Sequence, residues 1–382
     1  MKALRAAALL WLLLAPLLAV RAQALLDFTP TERALIAGHG PWPPAPVPDP
    51  SNRVDGQPAA VGFGRLLFFE RALSADGTLS CASCHQPERA FQDGRRTARG
   101  RAEGQRNTTS LLDAAQRRWL GWDGAHDSLW SASVAPLLAQ REMAASPAQL
   151  AATVRREPRL AAGYRAAFGA EPGPDHERVL VDLGKALAAY QATMVSERTA
   201  FDDFRDAMAQ GDDEAAARYP PGAQRGLRFF IGEGRCSVCH AGPAFTNGEF
   251  ADVGVPFFVP GGVDGGRHEG LTRLRASAHN RLGPHNDAGT ADPRAVTTRH
   301  VVPQHRNFGE FRVPGLRQLV HTAPYMHDGS LATVDDVVRH YSELNEERLH
   351  ADGERILRPL RLNAAQAADL AAFLHSLSSG GR

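Results

Sequence analysis

Cys81-Ala-Ser-Cys84-His85 and Cys236-Ser-Val-Cys239-His240 contain all four cysteines of the chain, and both follow the C-x-x-C-H spacing. Covalent c-type haem needs that spacing: two thiols form thioethers to the porphyrin vinyls, and the adjoining His is placed under the iron as proximal ligand. A zinc knuckle would need the two clusters to converge on one ion, and a thioredoxin-like redox pair does not require the following His. With no cysteine left over for a structural disulfide, the expected cofactors are two covalently bound c-type haems. A second stretch, PYMHDGSLATVDDVVRHYSEL (324–344), holds further candidate iron ligands in Met326, His327, His340 and Tyr341.

These groups need a frame, and the sequence repeats one. GRLLFFE (64–70) precedes the first motif and AFQDG (90–94) follows it; GLRFFIG (226–232) precedes the second and AFTNG (244–248) follows it. The pattern is an internal duplication, a Phe-Phe helix leading into the haem motif and then a turn, with Phe68 and Phe229 expected against their haem edges. LVDLGKALAAYQATMVS (180–196) and AAQAADLAAFLHSL (364–377) carry apolar residues at helical spacing, and period-two alternation is scarce. The expected fold class is mainly α, with two cytochrome c-like domains at 23–207 and 225–382 joined by a linker at 208–224, where charge and paired prolines suit a connection. The lead GPWPPAPVPDPSN (40–52) is expected to run extended over the surface, and 259–305, rich in Gly, Pro, Arg and His, to be long loop. Thr333 and Asp336 form a T-x-x-D capping pattern that opens a helix carrying Tyr341 about two turns in. His340 then points about 100° away around the axis, so only one of the two can face an iron.

The chain begins MKALRAAALLWLLLAPLLAVRAQA: Lys2 and Arg5, an apolar run from Ala6 to Val20, then small residues around Ala22 and Ala24. This is the pattern of a cleaved secretory signal peptide, expected at 1–22, and it implies export to the periplasm. Cleavage would remove Lys2, Arg5 and Arg21 and no acidic residue, taking the formal charge from +1 to −2. Such a balance gives no reason to expect nucleic acid or an anionic membrane as partner. No later segment reaches the ~18 uninterrupted apolar residues of a membrane span.

Taken together, the motifs resemble those of the bacterial dihaem cytochrome c peroxidase and MauG superfamily. The matching stretches are CASCHQPERAFQDG, QRNTTSLLDA (105–114), GWDGAHDSLW (121–130), REM (141–143), ALAAYQAT (186–193), CSVCH, FRVPGLRQLVHTAPYMHDGS (311–330) and AAFLHSLS, in the family's order over nearly all of the mature chain. The Pro-rich lead and GWDGAHDSLW are most similar to the MbnH branch, whose members act on a copper-binding partner called MbnP. The resemblance implies a haem oxidoreductase whose N-terminal haem meets hydrogen peroxide and whose C-terminal haem stores or relays an oxidising equivalent.

Carried over residue by residue, the resemblance implies His85 and His240 as proximal ligands and Glu142, in the REM triplet, as the distal acid-base group. It implies Trp122 as the bridge between haems, leaving Trp119 and Trp130 as ordinary core or surface aromatics. It also implies one calcium ion, held by the Asn107 side chain and the Thr322 and Pro324 carbonyls. The loop 94–107 carries no His, Met, Cys or Tyr, so the first haem is expected to be five-coordinate without prior activation. Two departures from MauG are Ala132, where MauG has a distal-pocket Gln, and Gly234, where MauG has a surface Trp as its exit point. Aligning PYMHDG with the dihaem peroxidases places Tyr341 at their Met ligand, ahead of Met326 in a tight turn, His327 and His340. An anionic oxygen ligand favours ferric and higher iron over ferrous. The implied function is formation of a high-valent bis-Fe(IV) state and oxidation of tryptophan on a secreted partner protein, with kynurenine formation preferred over a quinone cofactor. The alternatives are a cytochrome c peroxidase fed by a small cytochrome or cupredoxin, and a dihaem electron carrier.

Overall fold

The computed structural model describes residues 25–380 except 260–261 and 354–355, so the expected signal peptide at 1–22 lies outside the described residues. In chain order the helices are α1 Pro30–Ala37, α2 Pro58–Phe68, α3 Cys81–Cys84, α4 Leu129–Leu138, α5 Pro147–Arg156, α6 Pro158–Phe168 and α7 His176–Gln191. They continue with α8 Ala200–Gln210, α9 Asp213–Ala216, α10 Pro221–Ile231, α11 Gly266–Ala276, α12 Ala295–His300, α13 Val334–Ser342 and α14 Ala364–His375. Strand pairing among the described residues is slight: Phe250–Ala251 pairs antiparallel with Phe311–Arg312, and Phe258–Val259 with Gly262–Val263. The mainly helical class is as expected.

The duplication is visible in the packing. The α2 helix, which leads into the first haem motif, lies on α7, and α10, which leads into the second, lies on α14. In each copy the close approach falls on a glycine: a Cβ on Gly64 would overlap the Ala186 carbonyl oxygen, and one on Gly226 the Asp369 carbonyl oxygen. Four residues beyond each glycine a phenylalanine ring is fully enclosed, Phe68 in the first copy and Phe230 in the second. Phe230, not the expected Phe229, is therefore the equivalent of Phe68, and it is Phe230 that lines the space beside His240.

Two apolar cores result. The first joins α2, α4, α5, α6 and α7 around Phe63, Leu67, Phe68, Leu150, Leu180 and Leu187. The second joins α8, α10, α13 and α14 around Phe201, Phe204, Leu227, Phe230, Val338 and Phe373, and it also takes Phe28 and Ile36 from the start of the chain.

Three further expectations need correction. Residues 208–224 are not a free linker, because Met208, Ala216, Tyr219 and Ala223 are buried in the second core. Their charged and proline signals are helix punctuation: the Asp212 side chain caps α9, and Pro221 stands in the first turn of α10. The stretch 259–305 is not simply loop, since it contains α11 and α12. On α11 the buried positions include Arg267, Gly270, Leu271 and Leu274, which gives too weak an apolar stripe to read as a helix. The Pro-rich lead is only partly superficial: Trp42 is buried, its Nε1 donating to the Ser196 carbonyl at 2.9 Å, and Ser51 and Asn52 are buried too. Trp119 and Trp130 are core residues, as expected.

Candidate functional site

Each haem-motif histidine is aimed by the turn that follows it. His85 Nδ1 lies 3.0 Å from the Phe91 carbonyl oxygen, and His240 Nδ1 lies 3.0 Å from that of Phe245. The turns present those carbonyls by placing Ala90, Phe91 and Phe245 at φ of 53°, 59° and 53°. A carbonyl can only accept, so Nδ1 donates and Nε2 remains as the ligand atom. Burial holds both imidazoles below their ordinary pKa, in the neutral form that binds a metal. None of the four cysteines is paired in a disulfide. Burial pushes Cys81 and Cys236 up to about 12 and Cys84 to about 11.

A cavity of about 1100 Å³ draws its walls from both halves of the sequence. It exceeds the several-hundred-Å³ scale of ordinary small-molecule pockets. Asn107, Trp122, Cys236, Cys239, His240, Thr322, Pro324 and Tyr341 all line it. Two thiols, a neutral imidazole with Nε2 available and a cavity of this size fit a covalently held porphyrin at the second motif. The first motif offers the same thiol and imidazole set, although Cys81, Cys84, His85 and Glu142 are not on the walls of this cavity.

Tyr341 lies on α13, whose Thr333/Asp336 capping box is formed as expected. Burial raises its phenol above the ordinary value, and Cys236 and Cys239 raise it further, so the hydroxyl is in electrostatic reach of the second thiol pair. His340 turns away, its Nε2 lying 2.8 Å from the Val253 carbonyl oxygen. Met326 and His327 also line the cavity from the turn before α13. There Met326 accepts from the Gly329 N–H, and the His327 ring stacks on Phe311 with centroids 3.5 Å apart.

Glu142 follows α4 in a turn clamped by the loop 94–107. The backbone N–H groups of Arg101 and Ala102 donate to the carbonyls of Glu142 (3.3 Å) and Arg141 (3.0 Å). Burial raises the Glu142 carboxyl above its ordinary value even though the residue keeps accessible surface. Its charge in turn raises the Cys81 and Cys84 thiols, which sets it on the side of the first motif.

Trp122 is fixed at both ends: its Nε1 donates to the Asn107 carbonyl at 2.9 Å, and Arg312 N–H donates to its own carbonyl at 2.7 Å. Asn107 in turn donates Nδ2 to the Arg95 carbonyl at 2.8 Å, which leaves its side-chain oxygen for another partner. The charges beneath Trp122 carry no sequence motif of their own. Burial would raise Asp123, but Arg106 and Arg273 hold it down to about 2. Arg106 also grips Asp264 through two hydrogen bonds of 2.6 and 2.7 Å. A single guanidinium thus joins the 94–107 loop, the Trp122 turn and the segment entering α11. The Trp-Asp-Gly triplet was the only local hint of it.

Two equivalent motifs, each with its histidine presented by a backbone carbonyl, together with a large cavity at the second motif and a fixed tryptophan on its wall, fit a frame with two haem sites. A family model described as di-haem cytochrome c peroxidase matches residues 58–210. Cytochrome-c peroxidase IdrP1 of Pseudomonas sp. (strain SCT) is 30% identical over 354 residues, 88% of this chain and 85% of that protein. Methylamine utilization protein MauG of Methylorubrum extorquens is 31% identical over 324 residues, 84% and 79% of the two chains. The solved structure of a MauG-like protein associated with microbial copper homeostasis superposes with a TM-score of 0.66 at 28% identity, covering 89% of this chain and 96% of that one. The chain belongs to the di-haem cytochrome c peroxidase and MauG family. It is a haem oxidoreductase acting on peroxide, and membership implies two c-type haems. Among the described residues no helix is long and apolar enough to cross a membrane.

Proposed function

We propose that the protein is a periplasmic enzyme that uses hydrogen peroxide to oxidise tryptophan on a secreted partner protein. The observation that carries this reading is Tyr341, which lines the same cavity as Cys236, Cys239 and His240 while His340 turns away. The likeness to a MauG-like protein of copper homeostasis supports a partner of the copper-binding, MbnP-like kind. Haem held by Cys81, Cys84 and His85, and by Cys236, Cys239, His240 and Tyr341, would supply the redox iron that accepts oxidising equivalents from peroxide.

The chain's own groups account for the rest. As a carboxylate, Glu142 takes a proton from hydrogen peroxide and, once protonated, returns it to the departing oxygen; its raised pKa suits both halves of that task. The Trp122 indole, locked by the Asn107 carbonyl, bridges the two sites. The free Asn107 side-chain oxygen and the Thr322 and Pro324 carbonyls would hold a calcium ion at the cavity wall. Tyr341 as a free phenol resists ionisation here, so a phenolate form would require the positive charge that bound haem iron would supply.

A Tyr341→Met variant tests the reading. With haem content preserved, it is expected to lose oxidation of the partner's tryptophan, followed by mass spectrometry of the partner after peroxide treatment. Full retention of that oxidation would remove the phenolate from the account. A second reading, peroxide reduction with a small cytochrome or cupredoxin as electron donor, is favoured by the similarity to IdrP1 over most of both chains.

A further inference from the structure

Away from the cavity, one cluster offers ligand atoms that the peroxide chemistry does not use. Glu177, in the first turn of α7, faces His279 and His285 from the loop after α11. His279 Nε2 hydrogen-bonds Glu177 Oε1, and His285 Nε2 lies 3.8 Å from the same oxygen. One donor atom from each of the three residues falls within 4.8 Å of the others, and none of the three lines the haem cavity. We infer that Glu177, His279 and His285 form a binding site for a divalent transition cation of the zinc class, with water in the remaining position.

The donor set selects the class of ion. Two imidazoles and one carboxylate around an open fourth position suit Zn²⁺, whereas Ca²⁺ seeks six or more oxygens. The ligands are also held from behind, as a metal site requires. Asp175 caps α7 by accepting from Glu177 N–H at 3.0 Å and Arg178 N–H at 3.1 Å. Lys185 Nζ anchors the opposing loop by donating to the His285 carbonyl at 2.8 Å. His279 N–H donates to Ser277 Oγ at 3.0 Å. The nearby cations are already matched, Lys185 by Asp287 at 2.6 Å and Arg178 by Asp182 at 3.2 Å. Both imidazole side chains are 18% exposed and Glu177 is 42% exposed, so the rings are sheltered while the carboxylate faces an entry path. A plain His279–Glu177 ion pair would explain one ring and leave the second, tilted 35° beside it, without a function.

Because Glu177 belongs to a helix of the first core and the two histidines to a distant loop, a bound ion would tie them together and raise the thermal midpoint. The test uses the haem-loaded protein, stripped with a chelator and titrated with Zn²⁺ alone in equilibrium dialysis, with elemental analysis and thermal melts in parallel. The expected result is one saturable equivalent that Ca²⁺ does not displace and that raises the thermal midpoint. In His285→Gln and in His279→Gln/His285→Gln that site is expected to weaken by more than ~10-fold with the haem absorption spectrum unchanged. It is expected to persist in His305→Gln/His350→Gln, which removes the other His and Asp cluster of the described surface. Absence of a saturable site in the unmodified protein, or unchanged zinc uptake in His285→Gln, would overturn the assignment. Should the double variant lose its haem spectrum, His285→Gln decides, because His285 Nε2 lies 3.8 Å from Glu177 Oε1, beyond hydrogen-bond distance.

Discussion

In the proposed acid-base role Glu142 would accept a proton and then give it back, and a raised carboxyl suits that double use. Burial alone raises its carboxyl. Such a base must be ionised to start the reaction, so the rate with peroxide is expected to fall as pH drops through the raised pKa of Glu142. In Glu142→Gln that acidic limb should vanish and the rate should drop by about 10²–10⁴-fold, with haem content unchanged, as read by stopped-flow absorbance. An unaltered limb in the variant would assign the titration to another group. At this scale much was legible beforehand, because C-x-x-C-H is a local motif and the helical offset between His340 and Tyr341 follows from the residue count. The Arg106–Asp123–Asp264 cluster was not legible: Arg106 and Asp264 are 158 positions apart, and no local pattern links them.

Among elements, the repeated unit makes a symmetrical prediction. Gly64→Ala and Gly226→Ala each place a methyl group against backbone of the facing helix, α7 or α14, where no side chain can swing aside. Each substitution is expected to cost about 1–3 kcal/mol, measured by the denaturant midpoint of the haem-loaded protein, and equal stability would mean the helices are free to separate. A second element contact is the Asp202–Arg317 pair of 2.7 and 2.9 Å, with the guanidinium 3.6 Å from the Trp42 ring centre. It clamps α8, the Pro-rich lead and the loop before the Tyr325 turn. Burial would raise Asp202, but Arg317 holds it below its ordinary value. A carboxyl depressed in the folded state stabilises fully above its unfolded pKa, and that contribution is lost as pH falls through the folded one. Asp202→Ala should cost about 3–5 kcal/mol at neutral pH, because it strands a buried charge, and should remove that part of the acid sensitivity of the thermal midpoint. The helix pair around each motif was visible in the duplicated sequence. The membership of α8 and α9 was not, because Asp212 and Pro221 serve equally well as linker residues or as helix starts until packing decides.

Across the whole molecule the proposed reaction requires communication between two sites through Trp122 and the cavity wall. Chelation of calcium with EGTA should loosen the junction of Asn107 with the 322–324 segment, lowering the thermal midpoint and slowing the absorbance change at the second haem after peroxide, and added Ca²⁺ should restore both. An indifferent protein would mean that Asn107, Thr322 and Pro324 do not share an ion. The helical class and the family were legible from motif order, whereas the interleaving of the chain's first residues with the second core was not, since Phe28 and Ile36 carry no sign of where they pack. The central claim is that oxidising equivalents leave toward a protein tryptophan and not toward a cytochrome. The most direct measurement supplies peroxide to the haem-loaded enzyme together with a secreted copper-binding partner and reduced cytochrome c, following the partner's tryptophan mass and cytochrome oxidation together. Oxygen is expected on a partner tryptophan with little steady oxidation of the cytochrome; sustained cytochrome turnover with an unmodified partner would rule out tryptophan oxidation as the reaction.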